Sequence, residues 1–273
     1  MRLLSFFAYF VLYKICAMNL FYGFFRGIRA YGPAFRILQS RRFCWFFIFP
    51  VLLLVLFFIG GEWLVASAGN SLSEFVRQKV EVWVEGISWL SWVVNTAGFL
   101  IRFLVKLLYL FLFFTFGGYF VLILMSPVYS WLSERAEREL TGKNYPFDVR
   151  QMLWEIGRGI MLACRNMFFQ FLISFLLFLC SFIPLVGLLT PFAMFFVSAY
   201  FYGFSFIDYA VERKRFNIRK STAYMKKNSG MVMGVGAVFA FSLLIPWVSI
   251  LACCFVSLFS VVAGTVIVNE MQE

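Results

Sequence analysis

Four stretches of the chain are nearly free of charge and long enough to enter a lipid bilayer. Residues 43–61 and 107–125 are apolar segments of 19 residues each, and a helix of that length reaches about 28 Å, close to one hydrocarbon core. Residues 166–207 and 228–269 each run for 42 positions without a charge. This pattern predicts an all-α integral membrane protein with two long transmembrane helices and two longer membrane-penetrating segments.

The two 42-residue segments are predicted to be helical hairpins. Each has an Ile-Pro pair near its middle, and we expect the turns at Pro184, Gly187 and Pro246. Two full crossings need about 40 residues before a turn is counted, so the hairpins are predicted to penetrate deeply without, or only barely, crossing. A bundle of six full spans with tight turns is the alternative. Irregular backbone at such turns must be shielded from lipid, which predicts a homo-oligomer.

Amphipathic interfacial helices are predicted in the basic regions of the chain. Between residues 19 and 43, arginines recur at intervals of three and seven, which places them near one helical face. The pair Gly32-Pro33 is expected to break this helix. Pro50 is expected to kink the transmembrane helix that follows.

A second surface helix is predicted after residue 125. Ser126 is expected to be its N-cap, with Pro127 in the first turn, and Gly142 is expected to end it. The region 127–165 is therefore predicted to face water or the membrane interface.

The charge distribution predicts the sidedness of the chain. Residues 1–43 hold seven Lys and Arg and no acid, region 127–165 holds six and region 208–227 holds seven. Residues 62–98 hold only two, against four Glu. By the positive-inside rule, the three basic regions are predicted to face the cytoplasm and the acidic stretch to face out.

Composition narrows the class of protein further. The 273 residues are 63% apolar and only 14% charged, which leaves too little polar surface for a soluble globule. Histidine is absent, which excludes His-dependent catalysis and His-ligated zinc or haem, and the six cysteines form no metal-type pair. No cofactor is therefore predicted. The net charge of +11 is attributed to anchoring at the membrane surface, and no nucleic-acid partner is predicted.

Residues 19–268 are predicted to form a single membrane domain, followed by a short tail at 269–273. Residues 1–18 begin like a secretory signal but have no cleavage site. Met18 opens a complete basic amphipathic start, so residues 1–18 are interpreted as an upstream extension, with either Met1 or Met18 as the start.

An ordered set of motifs resembles a known family over about residues 19–268. The set comprises Arg41-Arg42-Phe43 before an apolar helix, Ser126-Pro127 opening a helix that ends in Leu140-Thr141-Gly142, and Ile207-Asp208-Tyr209 between two Ile-Pro hairpins. It resembles the CysZ-type sulfate permeases, whose superfamily includes the etoposide-induced membrane proteins of eukaryotes. The resemblance implies a multi-pass protein of the bacterial inner membrane that admits sulfate for cysteine biosynthesis. It also implies two long transmembrane helices and two hemi-penetrating hairpins, assembled as an oligomer.

The resemblance further implies an anion site before the first long helix. In that family a Gly-x-Arg-Arg stretch binds sulfate, and the corresponding residues here include Ser40, Arg41 and Arg42. Both arginines are present and the glycine is absent, which marks a divergent member. Arginine forks and the positive end of a helix suit a dianion, and Ser40 adds a hydroxyl donor. The alternative is that the arginines are anchors that bind lipid phosphates.

Two functions remain open on the sequence. The absence of Asp, Glu or Lys at mid-span favours passive, channel-like conduction of sulfate or a similar small anion over proton coupling. The alternative is a structural or scaffolding membrane protein, which the 39 Phe residues support. An intramembrane enzyme lacks a general acid–base set. Asp208 and Glu212 lie beside basic residues and are predicted to form a solvated helix end.

Overall fold

A computed structural model describes residues 18–84, 91–142, 149–212, 216, 218–245 and 249–271. The helices are α1 (residues 18–29), α2 (Tyr31–Leu38), α3 (Ile48–Val84), α4 (Ser91–Leu124), α5 (Ser126–Thr141), α6 (Val149–Cys180), α7 (Pro184–Val211), α8 (Ile218–Lys227), α9 (Ser229–Leu243) and α10 (Ser249–Glu270), with a 3-10 helix at Cys44–Phe47. These described residues contain no strand, so the predicted all-α class is confirmed.

Several helices are long and apolar enough to cross a bilayer. Within the described part of the chain these candidate spans are Cys44–Lys79, Ile156–Cys180 and Val186–Val211. Ser229–Leu243 and Cys254–Glu270 are also apolar but shorter. Length and composition together make the protein a multi-pass membrane protein.

Val51–Gly118 forms one compact unit, made of most of α3 and α4. In this unit Gly61 lies against the side chain of Tyr109, and Gly69 lies against Arg102. Because the contact positions rise along α3 as they fall along α4, the two helices run antiparallel. Their 37 and 34 residues reach about 50 Å or more at ~1.5 Å per residue, so both are longer than the ~30 Å hydrocarbon core.

The start of α3 corrects one expectation. The helix begins at Ile48 after the short 3-10 helix, so Pro50 is its third residue. The first four N–H groups of a helix have no intrahelical acceptor, so a proline here removes no hydrogen bond. The kink predicted at Pro50 within a helix beginning at Phe43 is therefore wrong.

The second compact unit combines Met1–Pro50 with Tyr119–Glu273. The predicted break near Gly32-Pro33 is confirmed, because α1 ends at residue 29 and α2 begins at Tyr31. Gly142 ends α5 in the left-handed conformation, with φ of 70°, as predicted. Ser126 is the first residue of α5, and its N-cap is Met125 instead.

The first hairpin, α6 with α7, is longer than the sequence predicts. Its turn occupies residues 181–183, and α7 starts at Pro184 and continues through Pro191. The prediction that Pro184 and Gly187 form the turn is therefore wrong, because both lie in the first turn of α7, where proline is tolerated. The arms therefore have 32 and 28 residues, because α6 also extends back through the region expected to be interfacial. Both arms are long enough for a full crossing, so their length no longer predicts an incomplete one.

The second hairpin, α9 with α10, forms much of the core. Its helices have 15 and 22 residues, and the predicted turn residue Pro246 lies outside the described residues. Along α10, Leu258, Val261 and Ile267 are fully buried. Fully buried side chains of this kind contribute about 1.5–3 kcal/mol each.

Small residues let α9 approach two neighbouring helices closely. A Cβ on Gly234 would overlap the carbonyl oxygen of Phe24 in α1. A Cβ on Gly236 would overlap the carbonyl oxygen of Ala199 in α7. Close backbone approach at glycine is a common way to join helices in membranes, where apolar burial alone gives little drive.

An ion pair and hydrogen bonds connect α1 and α2 to this core. Arg26 Nε lies 3.0 Å from Glu270 Oε2 at the end of α10. The Tyr31 hydroxyl donates to the Val235 carbonyl at 2.6 Å and lies 2.7 Å from Ser260 Oγ. Desolvation raises the pKa of Tyr31, so this hydroxyl stays protonated and available as a donor.

Candidate functional site

The predicted anion-binding residues lie in one loop, residues 39–43, which we call the arginine loop. It joins α2 to the 3-10 helix and is closed by a hydrogen bond from the Phe43 N–H to the Ser40 carbonyl at 2.9 Å. Ser40 is half-buried, whereas Arg41 and Arg42 are exposed. The loop thus presents both guanidinium groups on the surface.

The charges around the arginine loop leave these groups accessible. Arg42 Nη1 lies 3.8 Å from Glu139 Oε2 in α5, and 81% of the Arg42 side chain is exposed. A long, exposed ion pair of this kind contributes at most about 1 kcal/mol, so an incoming anion can displace it. Arg41 makes no ion pair with a carboxylate in the described part of the chain.

The dipole of α3 contributes less positive potential to the arginine loop than the sequence predicts. The α3 helix begins at Ile48, six positions after Arg42, and a 3-10 helix lies between them. The field of a helix terminus falls off within about one turn. The arginine side chains must therefore supply most of the positive potential at the loop.

The predicted hairpin residues form a separate feature. Pro184 is the first residue of α7, and the Gly187 N–H donates to the Ile183 carbonyl at 2.7 Å. A Cβ on Gly187 would overlap the carbonyl oxygen of Ser181, so glycine is required at this turn. The described contacts of Gly187 involve residues 181–183, and the ion pair of Arg42 involves α5, so the two groups are distinct.

A buried ion cluster was missed by the sequence analysis. Arg158 in α6 lies 3.1 Å from Asp208 Oδ1 in α7 and 3.4 Å from Oε2 of Glu212, the C-cap residue of α7. It also donates to Ser221 Oγ at 2.9 Å, and Ser130 donates to Glu212 at 3.2 Å. All five residues are less than 7% exposed. The cluster joins α5, α6, α7 and α8.

The prediction of a solvated helix end at Asp208 and Glu212 is therefore wrong. The two carboxylates are four residues apart, which places them on one face of α7, and Arg158 reaches both of them. Burying such charges is tolerated only when each finds a partner. The spacing was the available signal, but nothing in the sequence identified Arg158 as the partner.

A line of polar side chains continues from the ion cluster along the α6–α7 interface. Asn166 donates to Ser205 Oγ at 3.0 Å. One turn further, Gln170 donates to Ser198 Oγ at 3.0 Å and accepts from the Tyr119 hydroxyl of α4. Each bond satisfies a polar group that would be costly to bury alone in an apolar helix pair.

Residues 30–253 match the family described as "Sulfate transporter CysZ/Etoposide-induced protein 2.4". The chain belongs to this family. The matched segment includes the arginine loop, the ion cluster and the turns of both hairpins. Membership of this CysZ/etoposide-induced family makes the chain a membrane protein of a transporter family, as the resemblance implied. The roles of Ser40, Arg41 and Arg42 stay predictions.

Proposed function

We propose that this CysZ-family protein is a passive permease for sulfate, or a similarly small anion, in the bacterial inner membrane. The sulfate would supply cysteine biosynthesis, and the permease would act as a homo-oligomer. The observation that carries the proposal is the exposed pair Arg41 and Arg42, presented together in a loop before the long helix α3.

The chemistry of the arginine loop suits a tetrahedral dianion. Sulfate has four acceptor oxygens and donates no proton at neutral pH. Each guanidinium offers five N–H donors in a planar fork, and the Ser40 hydroxyl adds one more. Charge-assisted hydrogen bonds of this kind are roughly twice as strong as neutral ones.

The position of the buried charges supports a passive route. Asp208 and Glu212 lie at the C-terminal end of α7, where Arg158 pairs with both of them, and not at mid-helix. Proton-coupled carriers commonly keep titratable groups along an intramembrane path. The polar side chains further along the α6–α7 interface are amides and hydroxyls, which carry no charge.

One observation favours the alternative of a structural or scaffolding role. The outer part of the first hairpin exposes large apolar side chains, including Phe182 at 73% and Leu188 at 75%. Such a surface can pack against lipid or against another protein without any transport activity. A transport assay with purified protein distinguishes the two functions.

The test is uptake of radiolabelled sulfate into proteoliposomes, compared with empty liposomes. The permease predicts uptake that depends on the protein and falls at least about tenfold in Arg41→Ala/Arg42→Ala, since losing about 1.4 kcal/mol of anion binding corresponds to that factor. Arg36→Ala, which removes an exposed arginine from the last turn of α2, is the matched control and should transport normally. Glu139→Gln should also transport normally.

Equal uptake by protein-containing and empty liposomes would favour the scaffolding role. Normal uptake by the double variant would keep the permease but remove the arginine loop from its mechanism. Equal loss in Arg36→Ala and in the double variant would indicate a general effect of surface charge.

A further inference from the structure

A groove lined by α6, α7, α8 and α9 combines two cations with apolar walls. Its volume is about 720 Å³. Arg165, Thr222, Lys226 and Ser229 line one part of it. We call it the cationic groove, and neither the family match nor the arginine loop assigns it a role.

The apolar wall runs along the helices away from the cations. On α6, Phe169 and Ile173 follow Arg165 at intervals of four, so they lie on one helical face and extend about 12 Å from it. On the antiparallel helix α7, Phe196 and Val197 lie towards the same end. The groove is therefore amphipathic along its length.

At the polar part, the cations have no carboxylate in direct contact among the described residues, although Asp208 of the ion cluster interacts with Arg165 at longer range. Arg165 donates to Thr222 Oγ1 at 3.1 Å and to Asn166 Oδ1 at 3.3 Å, and its guanidinium lies 5.2 Å from the centre of the Phe204 ring. Among the described residues, neither Arg165 nor Lys226 forms an ion pair.

Arg158, two turns earlier on α6, is an arginine whose charge is balanced by contacts with carboxylates, and it can be compared with Arg165. It is 6% exposed and pairs with two carboxylates, whereas Arg165 is hydrogen-bonded only to neutral groups and borders the groove. Arg165 therefore retains charge and donor capacity for a ligand.

The start of α9 adds to the positive potential. Ser229 is the first residue of this 15-residue helix and lines the groove, and the N-cap Asn228 makes no side-chain capping bond. A helix N-terminus carries a partial positive charge and free N–H groups, both of which favour a phosphate.

We propose that the cationic groove binds one anionic phospholipid. The phosphate lies between Arg165, Lys226 and the N-terminus of α9, and one acyl chain lies along Phe169, Ile173 and Val197. A free inorganic anion would fill only the polar part, whereas a chain-bearing anion matches both parts. Basic pockets between membrane helices bind anionic headgroups by this combination of charge and apolar contact.

The test titrates the purified full-length protein in non-ionic detergent with phosphatidylglycerol or phosphatidylcholine and counts bound lipid by native mass spectrometry. Phosphatidylglycerol should bind as one tight equivalent, and phosphatidylcholine should bind at least about fivefold more weakly. Lys226→Gln should weaken phosphatidylglycerol binding about fivefold, and Arg165→Gln/Lys226→Gln about thirtyfold, because each basic residue contributes about a factor of five.

The neighbouring residue supplies the matched control. Lys227 is exposed on the same helical turn of α8 but does not line the groove, so Lys227→Gln should bind phosphatidylglycerol like the wild type. Since Lys226 is also exposed, Lys226→Gln should fold normally and decides the result even if the Arg165 variant is unstable.

A competition arm separates a lipid from a free anion. Excess sodium sulfate should displace phosphatidylglycerol no better than sodium chloride at the same ionic strength. Specific displacement by sulfate would overturn the lipid assignment in favour of an inorganic-anion site. Equal binding of the two lipids, or equal weakening by Lys226→Gln and Lys227→Gln, would also overturn it. Loss of sulfate uptake in the arginine-loop variant has no bearing on this result.

Discussion

The two helical hairpins share a long uncharged stretch with a central Ile-Pro pair, but their surroundings differ. The α9–α10 hairpin is buried over most of its described length, with Leu258 and Ile267 fully buried and α9 in backbone contact with α1 and α7, and it exposes Phe241 and Leu244 only near the end of α9. The α6–α7 hairpin has a buried base around Arg158 but exposes Phe182 and Leu188 near its turn. An uncharged stretch with a central Ile-Pro pair therefore does not by itself show whether a hairpin faces protein or lipid.

The difference in burial between the two hairpins arises from the size of their side chains. In α9, glycines at 230, 234 and 236 remove the side chains that would hold neighbouring backbones apart. In the outer part of the first hairpin, phenylalanine and leucine keep neighbours at a distance and cover the helices with apolar surface. Small residues specify protein contacts in a membrane, whereas large apolar residues are equally compatible with lipid.

The largest expected effect is at the crossing of α7 and α9. In Gly236→Leu the new side chain would overlap the Ala199 carbonyl and force two backbones apart, so we expect a loss above about 4 kcal/mol and little folded protein. Yield of monodisperse protein in detergent measures this. Gly157→Ala in α6 is the control, because nothing lies within 4 Å of the added methyl. A well-folded Gly236→Leu variant would contradict the close packing of α9.

The next largest expected effect is a loss of stability at the base of the first hairpin. Arg158→Met leaves Asp208 and Glu212 buried without their cation, so we expect a loss of about 3–5 kcal/mol in the free energy of unfolding. Arg138→Met removes a half-buried i,i+4 pair with Glu134 and should cost less than about 1 kcal/mol. Unfolding titrations in mixed micelles compare the two variants, and equal losses would show that the cluster is not buried.

A smaller difference in stability is expected when one leucine from each hairpin is truncated. Leu258→Ala creates a cavity at a fully buried position of α10, with an expected cost of about 2–5 kcal/mol. Leu188→Ala truncates a side chain that is 75% exposed and should change stability in detergent by less than about 0.5 kcal/mol. The same unfolding titration applies, and a reversed order would contradict the contrast between the hairpins.

The smallest expected effect is a gain in stability from a substitution in the first hairpin. Gly157→Ala replaces an exposed glycine inside α6 and should stabilise the protein by up to about 1 kcal/mol through helix propensity. The thermal midpoint in detergent measures the gain. Destabilisation would indicate a neighbour at this face of α6.

The sequence predicted the features that depend on local backbone chemistry. The break near Gly32-Pro33 and the end of α5 at Gly142 follow from glycine and proline chemistry alone, whereas the first hairpin turn lies a few residues before the position predicted for it. Helix ends that depend on distant partners were not predicted. The α6 helix continues through Arg158 and Arg165 because each finds acceptors on other helices.

The candidate site was predictable to a similar extent. Arg41 and Arg42 were identified because they match the arginine pair of the family that the sequence resembles, and the structure presents them in one exposed loop. The close packing of α9 had a sequence signal, since Gly23 and Gly27 share a four-residue spacing with Gly230 and Gly234. Which helices those glycines join depends on the tertiary fold.

Carbene labelling in the bilayer tests the contrast between the hairpins most directly. A lipid-soluble diazirine is photolysed in proteoliposomes of the unmodified protein, and the modified residues are located by peptide mass spectrometry. We predict labelling concentrated in residues 168–192 and little in residues 257–268, which are mostly buried. Equal labelling of the two segments, or stronger labelling of 257–268, would contradict the assignment of the first hairpin to lipid and of the second to the protein core.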